Sequence, residues 1–357
     1  MNVAVLLSIV MLVALVLYSL LGGADYGAGF LDLTCSGPRK EKQRAVIASA
    51  IHPVWETNHI WLILLVVLMF SGFPAAFSVM GARLPGLLLL VLLGIILRGS
   101  SFVFRAYFAG DARTQLYWGR VFSISSSLTP FFLGMVIGAI SDGSAAWSAN
   151  SRGPWFRVEW LNVFPLSVGL LSLSLFAYLA ATYLAIEAPG RELRDDFRRR
   201  ALISGAVSVL AAILTYRLAG FSAPGIREGL TNSALSCTAE LGAVFVAFSA
   251  FRNLILRRYE RARMAAAAQV GLIVIGWAGA QFPYAFRPDV TFFNSAAPTN
   301  VVWDLLLACG AGGLVLFPSL YLLFRVFKRR PRTGADLESN LLEDFLHVSG
   351  AEKGELK

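Results

Sequence analysis

Two stretches of the chain set titratable side chains close together. The first is Gly23-Ala24-Asp25-Tyr26-Gly27-Ala28-Gly29-Phe30-Leu31-Asp32. Asp25 and Asp32 are seven apart and share a face if one helix runs through both. The second is His52-Pro53-Val54-Trp55-Glu56-Thr57-Asn58-His59-Ile60-Trp61. In a helix His52, Glu56 and His59 fall at i, i+4 and i+7, a stripe of groups that can hold and release a proton. That spacing suits a proton path. It does not suit a haem, because residues at i and i+7 lie about 10 Å apart along the axis and cannot take opposite faces of one iron. A third stretch, Leu97-Arg98-Gly99-Ser100-Ser101, adds a cation that keeps its charge and seeks an anion. Asp25 and Glu56 are its prospective partners, and Arg98 reads as a structural counter-ion. Asp25, among glycines, reads as a functional carboxylate. Asp32 reads equally as a solvated helix end, and His52 as a hydrogen-bonded helix start beside Trp55.

The elements that carry these residues are membrane spans. Of 357 residues, 57% are hydrophobic and 15% charged, against about 25% charged in a soluble domain. That excludes a soluble multidomain protein and a disordered one. A crossing needs about 20 apolar residues. Uncharged runs qualify at 2–24, 60–82, 121–140, 160–186, 264–286 and 305–324. Three further spans are predicted at 84–104 (interrupted by Arg98), 201–216 (short) and 231–251 (with Glu240 near its middle). The first run lacks a basic leader and is expected to be retained. Pro53 suits the first turn of a helix. The sequence carries no convincing internal repeat.

Lys and Arg test this count, since they should gather on alternate connections. Of the 31, 24 fall on the loops after spans one, three, five and seven and on the C-terminal tail, 6 on the other loops, and Arg98 inside the membrane. The N-terminus is therefore expected outside and the tail in the cytoplasm. The net charge of +9 is a signature of topology and needs no nucleic acid. Cys35, Cys237 and Cys309 are scattered, which fits neither a disulfide framework nor a zinc site. No phosphate loop, nucleophile elbow or dinucleotide fingerprint occurs.

The motifs GGADYGAGFLDL, HPVWETNHIWL with FPAAF, LRGSSFVFR, SSLTPFFLGMVIG, ATYLAIEAPGREL and QFPYAFRPDVTFFNSAAP follow one another in the chain. Together they resemble subunit II of the cytochrome bd-type quinol oxidases, within it the cyanide-insensitive branch. The resemblance implies an all-α integral membrane protein of about nine transmembrane helices in two four-helix bundles plus a peripheral helix. On this chain the expected bounds are 1–140, 155–286 and 300–327, with a cytoplasmic tail at 328–357. It implies a bacterial inner-membrane complex in which a haem-bearing subunit I holds haems b and d and oxidises quinol. Subunit II has no haem ligands of its own; in some members it holds a structural quinone, and lipid and small accessory subunits are further partners. A cytoplasmic proton route is implied, with Glu56 and Asp25 matching its acidic positions and His59, Asn58 and Ser101 beside them. Arg98, Asp32, Trp55 and Trp61 are expected to be structural. Some members carry an acid two positions before Arg105; here it is Val103. The alternative is a proton-coupled secondary transporter, which would place its sites near the midplane on discontinuous helices.

Overall fold

The computed structural model describes residues 2–51, 55–107, 112–143 and 160–328. Its helices in order are α1 (Val3–Leu33), α2 (Lys40–Ile51), α3 (Trp55–Gly72), α4 (Pro74–Arg83), α5 (Pro85–Tyr107), α6 (Ala112–Asp142) and α7 (Val163–Glu187). They continue as α8 (Gly190–Ser222), α9 (Pro224–Asn232), α10 (Ala234–Ile255), α11 (Tyr259–Gln281) and α12 (Thr299–Lys328). A small antiparallel hairpin, β1 (Tyr284–Phe286) and β2 (Val290–Thr291), joins the last two, with Tyr284 opposite Thr291 and Phe286 opposite Val290.

Among the described residues, eight helices are long and apolar enough to cross a membrane, and a bent pair makes a ninth. The bend departs from the single span expected at 60–82. The chain breaks at Phe73, and α4 leaves α3 at 112°. Pro74 opens α4, where a residue without an N–H loses no helical bond. The run is uncharged throughout, so no charge marks the corner. The short span expected at 201–216 is the inner part of a 33-residue helix. Span eight ends at Gln281, before the hairpin.

α1, α3, α5 and α6 pack as one group and α7, α8, α10 and α11 as another; α1 and α6 lie along α7, and α12 rests on α1 and α3. The two groups share a plan that no sequence identity announces. α1 is followed by a left-handed Gly37 and α7 by a left-handed Gly190. The next long helix then breaks at Phe73 (φ −133°, ψ 59°) in the first group and at Ala223 (φ −135°, ψ 58°) in the second. In both, a proline starts the short helix that follows.

α1 is the axis of this arrangement. Asn2 caps it, its side chain accepting from the Ala4 N–H at 3.0 Å. At 31 residues it runs about 46 Å, longer than the roughly 30 Å hydrocarbon core. Its last three turns are enclosed by protein: Asp25, Tyr26, Gly27, Ala28, Gly29, Leu31 and Asp32 are all buried there. Gly27 is the closest approach: a β-carbon on it would overlap the backbone of Phe176 and Ala177 in α7. Backbone cannot yield as a side chain tip can.

Gly27→Ala is accordingly expected to destabilise the protein by at least about 1–3 kcal/mol, the range for overpacking. Gly310→Ala, with nothing near the added methyl, is expected to have little effect. Thermal unfolding of the two variants in detergent checks both.

Candidate functional site

The buried end of α1 faces α3, α5 and α6, and each supplies one polar group to a shared centre. α5 supplies Arg98, which is only 1% exposed. Its Nη2 lies 2.7 Å from Asp25 Oδ2, a close ion pair whose angle falls short of a hydrogen bond. Its Nε donates to Ser126 Oγ of α6 at 3.1 Å. Its Nη1 lies 3.3 Å from His59 Nε2 of α3. A guanidinium only donates, so Nε2 accepts in this contact and the ring proton sits on Nδ1. The guanidinium carbon also stands 4.7 Å from the Tyr26 ring centre and 5.3 Å from that of Phe122, where the negative faces of the rings attract it.

Around this centre, Tyr18 donates weakly to the Tyr26 hydroxyl at 3.4 Å, and both rings pack on His59. Asp25 Oδ1 and His59 Nδ1 are buried with no hydrogen-bond partner among the described residues. An unpaired buried oxygen of a carboxylate is costly, and it is also a free acceptor for a proton.

Asp32, two turns further along α1, has separate partners. Ser123 of α6 donates to its Oδ2 at 2.5 Å, and Arg44 of α2 is 3.7 Å from its Oδ1. Beyond it the α1–α2 connection is clamped to α8. Arg39 holds Asp196 through Nε at 2.8 Å and Nη2 at 2.7 Å, and Gln43 bonds both Asp196 and Arg200. Burial pushes the Cys35 thiol, in that connection, up to about 11 despite Arg200 and Arg44 nearby. It is therefore uncharged at neutral pH and does not compete with Asp32 for these arginines.

Of the residues singled out from sequence, Asp25, Arg98 and His59 meet, and Arg98 chooses Asp25. Asn58 is buried on α3. Trp61 is buried and packs near Phe317 of α12. Ser101 is buried, but its hydroxyl donates back to the Leu97 carbonyl of its own helix. Trp55 and Glu56 open α3, and their side chains lie outside the described residues, as does all of His52. Glu240 stands half-buried on α10, its Cγ beside Gly276 of α11. Sequence reasoning passed over Tyr18, Tyr26, Ser123 and Ser126. The hydroxyl run Ser123–Thr129 inside an uncharged span is the signal that could have found the serines. Among the described residues no group of three His, Cys, Asp or Glu side chains could hold a metal ion.

The family model described as cytochrome bd terminal oxidase subunit II matches residues 3–327. A putative cytochrome bd menaquinol oxidase subunit II of Bacillus subtilis (strain 168) is 24% identical over 330 residues, 88% of this chain and 93% of that protein. Cytochrome bd-I ubiquinol oxidase subunit 2 of Escherichia coli (strain K12) is 24% identical over 214 residues; the match spans 58% of this chain and about half, 54%, of that protein. In fold, the chain is similar to a chain of the bd oxidase from Geobacillus thermodenitrificans, with TM-score 0.77 and 22% identity, covering 92% of this chain and 99% of that one.

Removing one member of a buried ion pair strands the other. Asp25→Leu and Arg98→Leu are each expected to lower stability by about 3–5 kcal/mol, and the double Leu variant by much less than their sum. Detergent melts of the three variants test this; additive losses would show that the pair is not coupled.

Proposed function

The chain belongs to the family of cytochrome bd terminal oxidase subunit II, and on that premise we propose that it conducts protons from the cytoplasm toward the oxygen-reducing site while holding the haem-bearing subunit in place. The observation that carries this reading is the Asp25–Arg98 pair, buried inside the first helix group with one carboxylate oxygen left free to accept a proton. Charged groups inside a membrane protein face bundle interiors or water-filled paths. Among the described residues the buried charged side chains are Asp25, Asp32, Arg98 and Asp142, all within the first group. The first three gather at the Arg-rich end of α1. A site shared across the midplane, as a transporter would have, is not favoured by that placement.

On this reading Glu56, at the start of α3, receives a proton from the cytoplasm, and Asn58 and His59 on the same helix stand next along the way. Asp25 is the deeper relay. Arg98 stays charged throughout and fixes where Asp25 and His59 sit. Haems b and d belong to the partner subunit and supply the electron transfer and oxygen chemistry there; quinol binds on that subunit. This chain's part is to deliver protons and to keep lipid out of the path. On this reading the two helix groups are the two four-helix bundles and α12 is the peripheral helix. The distribution of Lys and Arg supports an outside N-terminus and a cytoplasmic tail in the bacterial inner membrane.

Purification in mild detergent is expected to bring down a larger, haem-bearing chain, with this one colourless. Glu56→Gln in that complex is expected to slow quinol-driven oxygen consumption, by up to about 10²-fold if proton delivery becomes limiting, with haem spectra unchanged. Full turnover in this variant would remove Glu56 from the path. Isolation of the chain alone, stable and active in transport, would overturn the reading.

A further inference from the structure

Two buried carboxylates, Asp32 and Asp142, have no part in the route above, and Asp32 is the one beside Asp25. Asp32 lies about 10 Å beyond Asp25 along α1 and is 5% exposed. Its plain role is to tie the helix end to α2 through Arg44. Three observations on the seam between α1 and α6 go further. Ser123 of α6 donates to Asp32 Oδ2 and also reaches the Gly119 carbonyl at 2.9 Å, so its proton has two acceptors. One turn along α6, Ser126 sits hard against Gly29, midway between the two carboxylates; a β-carbon on Gly29 would overlap its Cβ and Oγ. Ser126 in turn accepts from Arg98, whose other end holds Asp25 and leaves Oδ1 free.

From Arg44 inward the seam therefore runs carboxylate, hydroxyl, hydroxyl, carboxylate. All four of these side chains are buried. Ser125 and Ser127, on the same helix, turn their hydroxyls back onto α6 carbonyls, so the seam is a selection of particular serines. Val103, by contrast, is 42% exposed on the outside of this helix group. An acid at that position would open onto a different face.

We propose that Asp32 is a proton-loading group for Asp25, fed from the Arg44 side and connected through the hydroxyls of Ser123 and Ser126. The proposal rests on the proton-conduction reading and names a second inlet to it. The step balances. A proton taken up on the Asp32 carboxylate passes to Ser123 Oγ as that hydroxyl releases its own proton inward. Ser126 repeats the exchange, and a bridging water passes the last proton to Asp25 Oδ1, which no described side chain contacts by a hydrogen bond. Asp32 returns to its anion, both serines end as hydroxyls, and no electrons move. β-carbons three residues apart on a helix are about 5–6 Å apart, a gap that one water molecule bonded to both hydroxyls spans. The charged groups around the Asp32 end are Arg44 and Glu41 of α2 and Arg200 of α8, grouped about Cys35.

The test uses the intact oxidase purified with its haem-bearing partner, carrying Asp32→Asn, Asp32→Glu, Ser123→Ala or Glu56→Gln. Oxygen consumption with quinol is read against the haem spectra. Asp32→Asn is expected to slow turnover about tenfold, the effect of one decade in rate on the barrier, with haem spectra intact. Asp32→Glu, which keeps a titratable carboxylate, is expected to recover most of that loss. Ser123→Ala is expected to slow turnover and raise the solvent deuterium isotope effect. Should Asp32→Asn fail to assemble, Ser123→Ala decides: slowed turnover with the raised isotope effect upholds the inlet, and full turnover overturns it. Full turnover in both Asp32→Asn and Ser123→Ala beside a slow Glu56→Gln sinks the second inlet and leaves the first reading standing. Full turnover in all three sinks both.

Discussion

An arginine in a membrane interior has no water to turn to, and the first half of this chain is arranged around that fact. Arg98 keeps its charge at any accessible pH and is almost fully enclosed. It is held by an ion pair to α1, a hydrogen bond to α6, a contact with α3 and two aromatic faces. Those partners come from α1, α3 and α6, so the guanidinium on α5 also fixes how the four helices sit relative to one another. The glycines of α1 are the other half of the same constraint. Carboxylates can be sunk this deep only where neighbouring helices close over them; Gly27 lets the α7 backbone approach, and Gly29 makes room for the Ser126 side chain of α6.

The two helix groups share a plan but not a chemistry. Both have a long first helix, a left-handed glycine after it, and a long helix broken before a proline. Yet the buried polar side chains described in the second group, among them Ser167, Thr182, Ser208 and Gln269, are neutral. Burying a neutral hydroxyl that bonds a carbonyl of its own helix costs little, whereas a buried charge needs a partner of opposite sign. The second group can therefore serve as a packing surface for the first. Its connection to the first on the Arg-rich side is ionic, through Arg39 and Asp196, at the edge of the membrane where water softens the cost of exposed charge.

Much of this was legible in the residues, and the exceptions have physical causes. Uncharged runs and the one-sided distribution of Lys and Arg located the crossings because hydrocarbon tolerates neither charge nor free backbone groups. The spacing of Asp25 and Asp32 placed both on one face of a helix that does continue through them, and Arg98 in an apolar run announced the need for an anion. The corner at Phe73 was hidden because the helix after it is uncharged up to Arg83 and reads like the continuation of a span. The roles of Ser123 and Ser126 were hidden because helical serines mostly bond backward along their own helix, as Ser125 and Ser127 do. Which serine turns outward depends on what the facing helix presents, and Gly29 and Asp32 of α1 are facts of packing, three-dimensional before they are sequential.

A relay built on an ion pair meets a difficulty: when Asp25 is protonated, Arg98 loses its counter-charge in a place where an unpaired cation is expensive. The geometry answers it. Asp25 meets Arg98 with Oδ2 only, so a proton arriving on Oδ1 weakens the pair without breaking contact. Ser126 and His59 remain as acceptors for two other guanidinium nitrogens, and the Tyr26 and Phe122 faces remain beneath it. Cation–π contacts strengthen when water is excluded, so these rings do most where the carboxylate does least. A leucine core would hold the same helices at lower electrostatic cost. What it would lack is a carboxylate able to change its charge while its neighbour keeps a bed of dipoles and ring faces, and that capacity is what distinguishes this centre from a fastening.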